Sequence, residues 1–116
     1  QMLLHGGSFN GVTLLSPKTV EFMTGAHLTP ALQDYVNQWE NLPGYTYANL
    51  LRIMTDPGAA VSMGSKGEYG WDGWLGPYIT NDPVNRMTLL IMQQKTGSGT
   101  TEYTRRIRNV LFSSLN

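Results

Sequence analysis

The stretch GEYGWDGWLGPYITNDPVNRMTLLIMQQ, Gly67 to Gln94, decides how this chain is read. It predicts three strands, Tyr69 to Trp74, Gly76 to Thr80 and Met87 to Gln94, the last two joined through the turn-forming run Asn81-Asp82-Pro83-Val84-Asn85. Strands this closely spaced form an antiparallel meander. Glycine weakens a strand interior unless a bulge or a close backbone approach requires it. Gly67, Gly70 and Gly73, woven among Tyr69, Trp71 and Trp74, therefore point to a strand edge that lies against something. Met87 to Met92 is nearly continuous in apolar residues and predicts a strand covered on both faces.

Upstream, Tyr45 to Met54 (YTYANLLRIM) has the aromatic and aliphatic content of a strand, closed by the turn Asp56-Pro57-Gly58. Leu28 to Pro43 is punctuated by proline and asparagine and reads as a surface excursion, with Ala31 to Trp39 long enough for a turn or two of helix. Ser16-Pro17 supplies an N-cap and a proline at the first helical position, predicting a helix from Pro17 to about Thr24, with Val20, Phe22 and Met23 as its apolar contacts and Gly25 as its stop. Gln1 to Leu4 before His5-Gly6-Gly7 reads as the last turn of a helix whose beginning lies outside the sequence.

Downstream, Thr96-Gly97-Ser98-Gly99 is a loop. Thr100 or Thr101 caps a closing helix to about Ser114, in which Tyr103, Ile107, Val110 and Leu111 form a stripe expected to face the sheet, with Arg105 and Arg108 turned away. The elements together predict a single domain of α/β composition, of the α+β type.

The 116 residues carry eight basic and eight acidic side chains, with no Lys/Arg stripe to track phosphates, which argues against nucleic-acid binding. Charged residues make up 14%, well under the usual quarter, hinting that some surface belongs against a partner. There is no cysteine, hence no disulfide framework, thiol nucleophile or thiolate metal site, and the compartment stays open. No stretch approaches the length of a membrane span, and the chain reads as soluble.

Candidate chemistry is sparse. His5 and His27 lie far apart, neither with a ligand partner at helical spacing, so no metal and no cofactor are indicated. Asp56, Asp72 and Asp82 sit at turns or beside glycine, where short carboxylates accept from local backbone N–H groups. Ser8, Ser62, Ser65 and Ser98 lie in glycine-rich loops outside any G-x-S-x-G or S-x-x-K context, and Gly64-Ser65-Lys66-Gly67 reads as a tight turn. The aromatic set Tyr69, Trp71, Trp74 and Tyr78 reads either as sheet core or as a stacking platform for sugar or acyl groups.

The order MLLHGG, GVTLLSPKTVEFM, GEYGWDGWLGPYITNDP, MTLLIMQQ and a closing amphipathic helix resembles the C-terminal part of the serine beta-lactamase-like hydrolases: class C beta-lactamases, penicillin-binding DD-peptidases, D-aminopeptidases and family VIII esterases. The resemblance covers almost the whole chain and is weakest over Leu28 to Pro43. It implies the beta-lactamase/transpeptidase-like fold, with residues 1–116 as one incomplete domain whose partner is the N-terminal remainder of the hydrolase.

In that family a Ser-x-x-Lys, a Tyr-x-Asn and a Lys-Thr-Gly equivalent meet at one site. The resemblance puts Trp71-Asp72-Gly73 in the third position, so that Trp71 and Asp72 border the substrate, Gly73 keeps bulk away from its carbonyl, and the backbone N–H of Trp74 forms half of an oxyanion hole. The first two motifs are expected upstream and absent here, leaving the segment inert alone. Trp71 replaces the lysine or histidine of the penicillin-recognising members, which favours ester, amide or D-amino-acid peptide substrates over penicillins. The rival reading is a non-catalytic domain that binds a glycan or peptide, with an exposed strand edge open to a second copy.

Overall fold

A computed structural model describes residues 1–25, 28–39, 42–97 and 101–115. The fold is mixed α+β. A 3-10 turn at Leu3–His5 precedes a two-stranded ribbon, β1 (Ser8–Phe9) and β2 (Val12–Thr13); helices α1 (Pro17–Gly25) and α2 (Pro30–Asn37) follow. Then come β3 (Tyr45–Ala48), β4 (Leu51–Met54), β5 (Tyr69–Asp72), β6 (Tyr78–Asp82), β7 (Met87–Ile91) and the closing helix α3 (Glu102–Ser113). The five long strands form one antiparallel sheet whose spatial order is the chain order, as the meander predicts.

The local chemistry accounts for most boundaries. Gly6 ends the 3-10 turn in the left-handed region, φ 64°, and its N–H donates to the Leu3 carbonyl. Pro30 occupies the first position of α2, where a missing N–H costs nothing. Ser16 Oγ accepts from the Thr19 N–H at 3.1 Å and caps α1. Within α1, Val20 is buried but Phe22 is exposed, so the predicted apolar contacts are made by one side of the helix only.

Three expectations are corrected. Tyr45 to Met54 is not one strand but a hairpin: β3 and β4 pair Ala48 with Leu51, and Asn49-Leu50 between them take φ 49° and 67°. That is the left-handed pair a two-residue hairpin turn needs, and leucine gives no sequence signal for it. β7 is not covered on both faces; Leu90 is exposed together with its register partner Ile79.

The third correction concerns α3. Thr104, Arg108 and Phe112 are its buried residues, whereas Tyr103 and Val110 are exposed. The spacing i, i+4, i+8 is helical as expected, but the inward stripe is rotated, because the sheet offers Arg108 a carboxylate and a phenol that repay its desolvation. Thr101 is the N-cap residue without a side-chain cap bond. His27, Ser98, Gly99 and Thr100 lie outside the described residues.

Packing is split between the two faces. Against α3 the sheet presents Tyr45, Arg52, Met54, Tyr78 and Ile91, and Leu42 joins Tyr45 and Met54 with Val36 and Ala60 beside them. On the opposite face Ala48, Ile53 and Tyr69 pack with Leu3 and Leu51. No helix among the described residues is long and apolar enough to cross a membrane.

Candidate functional site

The Trp71-Asp72-Gly73-Trp74 segment straddles the end of β5 and the turn leading to β6. β5 is fixed in register on both sides, Arg52 opposite Gly70 on β4 and Asp72 opposite Tyr78 on β6. Gly70 is a close-approach glycine: a Cβ there would stand 1.9 Å from the Ile79 carbonyl oxygen and 2.8 Å from the Thr80 Cα. Gly73 has the same need more mildly, with a Cβ falling 2.8 Å from Pro77 Cγ. The Gly73 N–H donates to the Pro77 carbonyl at 2.7 Å and the Gly76 N–H to the Gly73 carbonyl at 2.9 Å, which closes the turn on itself.

Past that turn the Trp74 carbonyl accepts from the Gly97 N–H at 2.9 Å and the Leu75 carbonyl from the Lys95 N–H at 2.9 Å. The backbone is therefore held on both sides of Trp74. Among the described residues no hydrogen bond takes the Trp74 N–H itself, and its indole is 78% exposed. The turn thus offers a fixed backbone donor that a carbonyl oxygen or oxyanion can accept.

The side chains of the segment are committed in different ways. A short carboxylate beside glycine is expected to accept from local backbone N–H groups; the Oδ1 of Asp72 is ion-paired with Nη1 of Arg52. Asp56 and Asp82 do follow that expectation, accepting from Gly58 and Ala59, and from Val84 and Asn85. The Trp71 ring meets Tyr47 edge to face at 5.2 Å. Tyr69 is buried in the core with Ala48 and Ile53, and Tyr78 is buried beneath α3, so half of the aromatic set is sheet core and only Trp71 and Trp74 reach the surface.

Beneath the segment lies a charged network that strand and helix periodicity did not reveal. Arg52 is buried, its guanidinium 4.7 Å from the Tyr78 ring centroid and 5.4 Å from that of Tyr45. Arg108 donates through Nε to Ser62 Oγ at 3.1 Å, through Nη1 to the Tyr78 hydroxyl at 2.6 Å, and through Nη2 to the Met63 carbonyl at 2.6 Å and Glu68 Oε2 at 3.0 Å. The Tyr45 hydroxyl donates to Glu68 Oε1 at 3.2 Å. Gly64 leaves room for this pairing: a Cβ there would lie 2.5 Å from Arg108 Nη2 and 2.6 Å from Glu68 Oε2. The one sequence signal was Arg52 inside the apolar run Leu-Leu-Arg-Ile-Met, a charge where a strand interior has no water to meet it.

This network shifts its members. Burial, reinforced by the Glu68 carboxylate, pushes the Tyr45 phenol up, and burial also raises Tyr78 and Tyr69. Burial alone would lower Arg108, but Tyr78, Tyr45 and Glu68 around it more than offset that and raise it.

Among the described residues, two depressions beside the sheet can be described. The larger, of about 590 Å³, is lined by residues that include Gln33, Asn37, Tyr45, Thr55 and Asp56; there the Gln33 amide donates to the Asn37 side chain and the Tyr45 carbonyl, each at 2.8 Å. The smaller, of about 250 Å³, is formed by Val36, Trp39, Leu42, Tyr47 and Trp71. No group of three or more potential metal-ligating side chains is assembled among the described residues. His5 is exposed, its Nδ1 2.8 Å from the Gln1 carbonyl, where it closes the 3-10 turn.

The expected absence of Tyr-x-Asn needs correction as a matter of spelling, since the triplet occurs at Tyr35-Val36-Asn37 and at Tyr47-Ala48-Asn49. Neither stands beside a serine–lysine pair. Asn37 accepts from Gln33, and Asn49 sits in the β3–β4 turn with its amide donating to the Phe22 carbonyl at 3.2 Å. Ser-x-x-Lys does not occur in the sequence. No protein-family model matches this chain, and no curated protein matches it.

Proposed function

We propose that the chain is the C-terminal segment of a beta-lactamase-like serine hydrolase, which cleaves esters or amides through an acyl-enzyme. The beta-lactamase/transpeptidase-like fold belongs to this same reading. The observation that supports it is the N–H of Trp74, which no hydrogen bond among the described residues takes, on a turn fixed by Pro77, Lys95 and Gly97, directly after the Trp-Asp-Gly motif. In the assembled enzyme that N–H binds the oxyanion of the tetrahedral intermediate, and the nucleophile's own N–H supplies the second donor. Gly73 lets the carbonyl approach, Trp71 borders the substrate, and Asp72, tied to Arg52, holds the strand end in place.

The chain alone is inert, because an oxyanion donor without a serine and its base has no intermediate to stabilise. The N-terminal remainder of the hydrolase supplies both. No cofactor enters this reaction. The test is hydrolysis of a p-nitrophenyl ester by the protein encoded by the whole reading frame. Turnover that a serine reagent abolishes, and that Trp74→Pro lowers by roughly 10²–10³-fold by deleting the N–H, supports the reading. A reading frame without an upstream Ser-x-x-Lys overturns it.

The alternative, an interaction domain, draws on a different observation. β7 pairs only with β6 among the described residues, and Ile79, Leu90 and Met92 are exposed near that edge. An extended peptide or a strand of a second copy would complete the sheet there. Light scattering of the isolated chain separates the two: a monomer at all concentrations removes self-pairing from consideration.

A further inference from the structure

The groove formed by Val36, Trp39, Leu42, Tyr47 and Trp71 combines material of two kinds. Tyr47 and Trp71 come from the sheet, and Trp71 opens the Trp-Asp-Gly motif itself. Val36, Trp39 and Leu42 come from α2 and the turn behind it, inside the stretch where the resemblance to the hydrolases is weakest. One wall therefore comes from the stretch least like those hydrolases. Every lining side chain among the described residues is apolar or aromatic, and none of these is charged.

Size narrows the occupant. A cavity of about 150 Å³ suffices for benzene, and drug-sized ligands occupy about 300 Å³ or more. At about 250 Å³ the groove suits one ring with a short extension, or a short unbranched chain. Its rims are aromatic: Trp39 is 50% exposed and Trp71 38% exposed, surface that an apolar group would cover at roughly 25 cal/mol per Å². Sugars stack on aromatic faces too, but they need hydrogen-bonding partners around the ring, and among the described residues the lining supplies only the Tyr47 hydroxyl and the indole N–H groups of Trp39 and Trp71.

We infer that this groove binds an uncharged aryl or short acyl group, and that α2 sets this preference. As a statement about substrate it rests on the proposed hydrolase reading; as a statement about binding it does not. The chain has three tryptophans, two in the groove and Trp74 outside it, so their indole N–H signals in a ¹H–¹⁵N spectrum give a built-in control.

Titration of the chain with benzyl alcohol and with hexanamide is expected to shift the Trp39 and Trp71 indole signals along one saturable curve and to leave Trp74 in place. Trp39→Ala, at a half-exposed position, is expected to weaken that binding at least tenfold with an unchanged far-ultraviolet circular dichroism spectrum. Val110→Ala, on the exposed side of α3, is expected to bind as the parent does. Absence of a saturable shift, a response to glucose in place of the apolar probes, or shifts that track protein concentration alone would each overturn the inference. A chain that binds the probes while the whole reading frame lacks esterase activity leaves the groove standing and removes only the hydrolase reading.

Discussion

Arg108 Nη2 stands 2.8 Å from Oε1 and 3.0 Å from Oε2 of Glu68, 40 positions away in the chain, with neither side chain reaching solvent. Burying both charges is tolerable only because the remaining sites on each are filled: Tyr45 completes the carboxylate, and Ser62, Met63 and Tyr78 complete the guanidinium. The pair holds α3 to the loop before β5 and to β6 at once.

Removal of one partner strands the other. Glu68→Leu or Arg108→Met alone is expected to destabilise the chain by about 3–5 kcal/mol in urea unfolding, whereas the double variant should recover a large part of that loss. Additive losses would show that the two groups are held by their other contacts and not by each other.

The β3–β4 turn predicts the opposite sign. Leu50 is 78% exposed and holds φ 67°, a conformation that costs a side-chain-bearing residue about 1 kcal/mol. Leu50→Gly creates an Asn-Gly turn and is expected to raise stability by up to about 1 kcal/mol. A lower unfolding midpoint would mean that the leucine side chain contributes contacts worth more than the strain.

Glycine positions separate just as sharply. Gly70→Ala forces a Cβ onto the backbone of β6 and is expected to cost about 3 kcal/mol or more, exceeding an ordinary overpacked side chain because carbonyl and Cα atoms cannot rotate aside. Gly25→Ala, where nothing lies within 4 Å, should change stability by less than about 1 kcal/mol. Equal effects at the two sites would contradict the close β5–β6 approach.

Alkaline pH should weaken the fold. The unfolded phenols ionise near about pH 10, while burial holds those of Tyr45, Tyr69 and Tyr78 higher in the native state. The folded chain then keeps protons that the unfolded chain has released. Stability from these groups is complete below about pH 10 and falls as pH rises above it. Urea midpoints measured between pH 8 and 11 should show the decline, and Tyr69→Phe, whose shift comes from burial alone, should flatten it.

The sequence conveyed the order and type of most elements because their signals are local. Ser16-Pro17 announces α1, and alternation with turn residues announces β5, β6 and the loop before β7. What it hid depends on distant partners. Arg108 reads as a solvent residue by helical periodicity until the buried Glu68 and Tyr78 are brought to it. Arg52 is hidden for the same reason, and Asp72 with it. Asn49-Leu50 escaped because leucine does not mark turns. In the candidate site, Trp71, Gly73 and Trp74 were visible as a motif, but the walls that Trp39 and Tyr47 add became visible only once α2 was set against the sheet.

The sheet's spatial order, identical to its order along the chain, also sets an assembly sequence. Each strand docks on the one just made, through a short connection everywhere but between β4 and β5, where residues 55–68 intervene, so little chain entropy is spent before most contacts form. Glu68 is the exception, since its cation arrives only with the last helix. Until α3 docks, the loop before β5 lacks the guanidinium that Glu68 meets in the folded chain. Pulse-labelled hydrogen exchange during refolding should accordingly protect β5 and β6 amides first and those of α3 last; simultaneous protection would place α3 in the earliest folding event.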